Sequence, residues 1–173
     1  VAYACLVAVM CQGPAYESQL EKRLEARMGE NSAPVVTSAG ALKEALSHLK
    51  AKRVSLIAPY LPELTAKVVE GIEAEGVEVV DAISLSISDN VAVGRRSPLE
   101  LIEESKRLNV QGVDAVILSA CVQMPSLAAV PLVEAALGLP VISAATATVF
   151  SLRKRFNWDA PVPGAGQLLG GVK

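Results

Sequence analysis

Aromatic side chains and histidine are scarce in this chain of 173 residues, which carries two Phe, three Tyr, one Trp and a single His. With 51% hydrophobic residues and only 3% aromatic, the core has to be built from Val, Leu, Ile and Ala. That composition suits strands buried on both faces with helices packed upon them. The one histidine, His48, lies in KEALSHLKAKR, a segment with the pattern of a solvent-facing helix, so a Ser-His-Asp or Cys-His arrangement is excluded unless His48 joins it. An excess of either charge is also missing: 16 basic and 18 acidic residues are mixed along the chain for a net charge of −2. No basic stripe marks a nucleic-acid surface, and no polyanion is expected as a partner.

Cysteine is present three times, as Cys5, Cys11 and Cys121, with no Cys-x-x-Cys and no zinc-ligand spacing. Free thiols are expected, and no metal site. The apolar start lacks a charged n-region and a cleavage site, and Gln12, Gly13 and Pro14 interrupt it, so neither a signal peptide nor a membrane span fits. A cytoplasmic protein is the expectation. No glycine-rich dinucleotide fingerprint occurs, and no cofactor is expected.

What the chain does have is alternation of Val- and Ile-rich runs with segments of helical period. Strands are expected at 1–5, 34–37, 54–58, 77–83, 115–119 and 141–144, and helices at 16–28, 40–49, 61–74, 98–108, 126–137 and 146–156. Ser38 and Ser97 suit helix N-caps, Pro62, Pro98 and Pro125 lie near helix starts, and Gly29, Gly76 and Gly138 suit helix ends. Strict alternation of this kind predicts an α/β fold with parallel sheets flanked by helices. The stretch HLKAKRVSLIAP suits a crossing between two lobes, and NWDAPVPGAGQLLGGVK, rich in Gly and Pro, reads as an irregular tail.

Cys5 in VAYACLVAVM and Cys121 in AVILSACVQMPSL share a local pattern: apolar strand-like residues, Ala-Cys, a short apolar pair, then a turn and a helix. Both fall at carboxyl ends of strands, where parallel sheets gather their ligands and helix N-termini point N–H groups. A thiol in such a place can be a nucleophile or a proton carrier without any histidine. Cysteine is equally a common core residue, and Cys11, which lacks the Ala-Cys context, is read as packing. Tyr60 follows a buried strand, and Asp89 and Asn90 fall in the loop after another. The Tyr60 hydroxyl and the Asn90 amide are able to orient a carboxylate or enolate oxygen. A turn-forming Asp-Asn pair and an interfacial tyrosine are the alternatives.

The segments YACLVAVM, APYLPEL, SISDNVAVGRR and LSACVQMPSL together resemble the maleate cis-trans isomerases, of the superfamily that includes aspartate/glutamate racemases and arylmalonate decarboxylase. Arylmalonate decarboxylases keep the second of the two cysteines; this chain keeps both. The resemblance implies two pseudo-symmetric lobes facing each other across a closed cleft, one cysteine from each. Residues 1–49 with 144–173 would form the first lobe and 50–143 the second. The N-terminal βα portion of the first lobe, with a substrate-contacting asparagine, has no counterpart here, which suggests a truncated product or fragment.

On the same resemblance Cys5 corresponds to the nucleophile and Cys121 to the proton donor. Tyr60 and Asn90 correspond to substrate-contacting residues, and the backbone N–H groups of Leu6, Val7, Val122 and Gln123 would cradle the two carboxylates. The implied reaction is cofactor-independent isomerisation of maleate to fumarate through a succinyl-cysteine type intermediate. The implied partners are a small dicarboxylate and further copies of the chain, as a homodimer or larger homo-oligomer. A two-cysteine amino-acid racemase of the same superfamily and an inactive fragment are the competing expectations.

Overall fold

The structure is a computed structural model that describes residues 1–13, 15–29 and 33–171. Pro14 and the last two residues of the tail therefore lie outside the described residues. Four strands, β3 (Arg53–Ala58), β4 (Glu78–Ser84), β5 (Ala115–Ser119) and β6 (Val141–Ser143), form one parallel sheet in the order β4-β3-β5-β6. A second parallel sheet holds β1 (Ala2–Tyr3) and β2 (Val36–Thr37). The expected parallel α/β architecture is what the chain adopts.

Side-chain alternation explains the layers. Along β3, Val54, Leu56 and Ala58 point into one apolar cluster while Ile57 points into another; along β5, Ala115 and Ile117 separate in the same way from Val116 and Leu118. Every residue of β5 is buried, as a strand covered on both faces requires. The first cluster joins this sheet to α1 (Leu6–Met10), α3 (Ser38–His48), α4 (Pro62–Glu73) and α8 (Ala144–Arg155). The second lies under α5 (Asn90–Arg95), α6 (Glu100–Ser105) and α7 (Val130–Leu137). Helix α2 (Tyr16–Met28) has the bounds its periodicity predicts.

Local chemistry sets several boundaries differently from the sequence expectation. Thr37, not Ser38, caps α3, because its extended backbone lets its hydroxyl accept from the Gly40 N–H. The N-cap position of α6 is Leu99 rather than Ser97. Ser143 caps α8 through a capping box with Thr146, so this helix starts at Ala144, two residues before its expected first turn. Helix α7 starts at Val130 instead of Ser126, since the Ser126 carbonyl turns the chain by accepting from Ala129 and Val130. Gly138 closes α7 in the left-handed conformation its lack of Cβ permits.

Three short helices were not foreseen: α1, α5 and α9 (Gly166–Gly170). The last corrects the expectation of an irregular tail. Ala165, Leu168 and Leu169 are buried, and the Glu134 carboxylate accepts from the Val141 and Gln167 N–H groups at 3.0 Å each. One side chain of α7 thereby ties down both the start of β6 and the first turn of α9. Among the described residues no helix is long and apolar enough to cross a membrane.

Candidate active site

Three of the residues singled out by sequence stand on one edge. Tyr60 follows β3, Asn90 comes after β4 and Cys121 lies two residues beyond β5, so all three sit at the carboxyl end of the same parallel sheet on adjacent strands. This is where backbone leaves the sheet and ligand groups collect. Cys5 occupies the equivalent place in the smaller sheet, just after β1.

The two cysteines differ in detail, which corrects the expectation of matched contexts. Cys5 is exposed and is itself the N-cap residue of α1, with extended backbone (φ −137°, ψ 93°). Leu6 and Val7, the apolar pair after Ala-Cys, are thus the first helical residues, and first-turn N–H groups have no acceptor inside a helix. Cys121 is buried at 8% exposure and begins a non-helical stretch that runs to α7. The backbone N–H groups of Leu6, Val7, Val122 and Gln123 donate to no other described residue.

Cys121 is anchored from beneath. The fully buried Ser119 hydroxyl donates to the Cys121 carbonyl at 2.8 Å, and the Ala120 N–H donates to the Ile57 carbonyl at 2.9 Å. The Tyr60 hydroxyl donates to the Ala120 carbonyl, one residue before Cys121, at 3.2 Å. Tyr60 itself is held because the chain after β4 zips alongside it: Leu85 N–H donates to Ala58, Ile87 to Pro59 and Ser86 to Tyr60, at 2.9, 2.8 and 3.1 Å.

The Tyr60 hydroxyl is held neutral by its surroundings. Burial pushes the Tyr60 hydroxyl far above the usual tyrosine range, and the nearby Cys121, Cys5 and Cys11 sulfurs push it further in the same direction. The Tyr60 hydroxyl therefore stays protonated as a donor, within the field of both proposed catalytic thiols. Cys11, at the C-cap of α1, is half-buried. Burial raises its pKa; Lys67 opposes the rise, while Cys5 and Glu70 add to it.

Asn90 is not in a loop, as expected, but is the first residue of α5; Asp89 is the N-cap, its carboxylate accepting from the Val91 N–H at 2.8 Å. The Asn90 carbonyl accepts from the Gln123 side-chain amide, a contact between the α5 and Cys121 segments that the sequence pattern did not reveal. His48 is exposed and packs on Phe150 with ring centroids 4.8 Å apart, outside this constellation. Among the described residues no cluster of three His, Cys, Asp or Glu is placed to hold a metal ion.

Paired parallel sheets flanked by helices, each with a cysteine just past a strand, define an α/β protein of the aspartate/glutamate racemase kind. A family profile described as arylmalonate decarboxylase matches residues 6–169. The chain is 54% identical over 173 residues to a maleate isomerase of Geobacillus stearothermophilus, spanning 99% of this chain and 69% of that protein. Its fold superposes with a TM-score of 0.95 on the maleate isomerase of Pseudomonas putida S16, solved as a cysteine-to-alanine variant with maleate, at 43% identity over 99% of this chain and 69% of the other. The same score relates it to the maleate cis-trans isomerase of Nocardia farcinica, a cysteine-to-serine variant with a covalently bound succinylcysteine intermediate, at 41% identity over 99% and 71% of the two chains. The chain belongs to the arylmalonate decarboxylase family, and it is similar within it to maleate isomerases.

Proposed function

We propose that this protein isomerises maleate to fumarate, with Cys5 as nucleophile and Cys121 as proton donor. What supports the reading is the placing of Cys5 and Cys121 just past parallel strands of two sheets, with the Tyr60 hydroxyl hydrogen-bonded to the residue before Cys121, in a chain 54% identical to a maleate isomerase. The succinylcysteine seen in the Nocardia farcinica enzyme supports the covalent route.

Maleate is a small dianion, so the site must hold two carboxylates. Backbone N–H groups of Leu6 and Val7 at the start of α1 receive one, and those of Val122 and Gln123 receive the other. Tyr60 and the Asn90 amide orient the substrate between them. The Cys5 thiolate forms a carbon–sulfur bond to one alkene carbon, and the electron pair of the double bond moves to the neighbouring carbon and its carboxylate. Cys121 gives its proton to that carbon. The former double bond is then single and rotates by half a turn. Cys121 takes a proton back from the same carbon, the carbon–sulfur bond breaks, and fumarate leaves with Cys5 again a thiolate. Protons and electron pairs balance over the cycle, and the residues named are sufficient for it with no cofactor.

We place residues 1–49 with 144–173 in one lobe and 50–143 in the other, a division supported by the separate sheets and by the packing of α8 on α3. A cytoplasmic location and a homodimer or larger assembly belong to the same reading. Proton NMR of the purified protein mixed with maleate tests it: fumarate should form, and Cys5→Ala and Cys121→Ala should each lower the rate by at least about a thousandfold. Fumarate formation that survives either substitution refutes the two-thiol mechanism, while no fumarate together with racemisation of an acidic amino acid would favour the racemase.

A further inference from the structure

We propose that the Gln123 side chain is a positioning residue that fixes the spacing between Cys121 and Asn90, an inference that rests on the isomerase reading. Gln123 follows Cys121 by two residues in a stretch without helix or strand, so nothing periodic holds that stretch in place. Its attachments to the sheet are on the inner side, through the Ser119 and Tyr60 hydroxyls. Toward α5 its link is Gln123, whose Nε2 donates to the Asn90 carbonyl.

The contact is two-pointed. A Cβ built at Gly94 would lie 3.6 Å from Gln123 Nε2 and 3.7 Å from its Cγ, so the side chain lies along α5 against Gly94 as well. Positions 90 and 94 are one turn apart and share a helix face. Gln123 is thus laid across the first turn of α5, linking the segment of the proposed proton donor to the backbone of Asn90, whose side-chain amide is the proposed substrate-orienting group. Helix α5 has only six residues, of which Val93 alone is buried, so its own packing leaves its first turn weakly fixed. The Gln123 side chain is exposed and its hydrogen bond competes with water, so its loss should cost the fold little. Geometry, not stability, is what it controls.

The test compares Gln123→Ala, Gln123→Glu and Gln123→Lys in the whole chain. Gln123→Glu keeps the size but removes the donor and sets a carboxylate against the Asn90 carbonyl; Gln123→Lys keeps a donor of similar reach. Misplacement of a reacting group by about 1 Å costs on the order of a hundredfold in rate, so kcat for maleate should fall roughly tenfold to a hundredfold in Gln123→Ala and Gln123→Glu. The thermal midpoint should not move, and Gln123→Lys should recover part of the loss. Independently of turnover, iodoacetamide labelling of Cys121, read in a Cys5→Ser, Cys11→Ser background, should quicken severalfold with Gln123→Glu and not with Gln123→Lys. Parent-like turnover in Gln123→Glu, unchanged labelling, or a rate loss matched by a lowered thermal midpoint overturns the proposal. If the parent makes no fumarate while labelling still quickens, the clasp stands and the isomerase reading falls.

Discussion

Tyr60 is partly buried between two apolar clusters, and that burial, with three sulfurs contributing, favours its neutral form. Two consequences can be measured. In the site, the hydroxyl is neutral near pH 7, so Tyr60→Phe removes a donor without removing a charge. It leaves the Ala120 carbonyl unpaired beside Cys121, and kcat/KM for maleate should fall roughly tenfold, with no change in the pH profile. For stability, the folded-state pKa lies above the ordinary tyrosine value of about 10, so above that pH the folded chain holds a proton that the unfolded chain has released. Stability should therefore fall as pH rises past about 10, and Tyr60→Phe should flatten that part of the urea-midpoint profile. A midpoint that rises with pH there, or an equal decline in Tyr60→Phe, would contradict the assignment.

At the scale of elements, single carboxylates pin the ends of strands and helices. Asp114 accepts from the Lys52 and Arg53 N–H groups at 2.7 and 2.8 Å, joining the start of β3 to the approach to β5. Those hydrogen bonds hold its carboxyl below the ordinary value of 3.8, so its contribution is present above about pH 4 and lost as pH falls through its folded-state pKa. Asp114→Asn should reduce the acid dependence of the denaturation midpoint. Glu134 does the same work for α9, and Glu134→Ala should cost about 2 kcal/mol by chemical denaturation and speed amide exchange in residues 166–170, while leaving β3 protected.

This is also the scale at which the sequence is most and least readable. Helix α2 carries enough turns for its period to fix both ends, and strand β5 is a continuous apolar run of the length a strand buried on both faces has. Helices α1, α5 and α9 have five or six residues, too few for a period to register. Helix α1 is apolar along its whole length, so it carries no helical period to read, and α9 hides in a Gly- and Pro-rich stretch because what orders it is Glu134, thirty-three positions from Gln167. Cys5, Cys121 and Tyr60 were legible as strand-end residues because parallel sheets expose that edge. The Gln123–Asn90 contact was not, since an exposed glutamine following a cysteine has no pattern that names its partner.

At the scale of the molecule, the two sheets make sense as two holders for two thiols. A single sheet offers one carboxyl edge; here the four-stranded sheet presents Asn90, Tyr60 and Cys121, and the two-stranded sheet presents Cys5. Lys43 helps hold the halves in register, reaching Glu17 of α2 at 2.9 Å and Glu75 beyond α4 at 2.8 Å. Burial alone would lower its pKa, but hydrogen bonds to Glu75 and Glu17 outweigh that and raise it, so the ammonium stays charged. The proposed two-thiol chemistry would depend on this arrangement of the two sheets.

The most direct measurement is intact-mass and peptide-mapping analysis of Cys121→Ser after incubation with maleate. The account predicts a mass gain of one maleate, mapped to Cys5 and lost in the Cys5→Ala, Cys121→Ser double variant. An adduct on Cys11, or none on a folded Cys121→Ser protein, would contradict Cys5 as the nucleophile and with it the two-thiol mechanism.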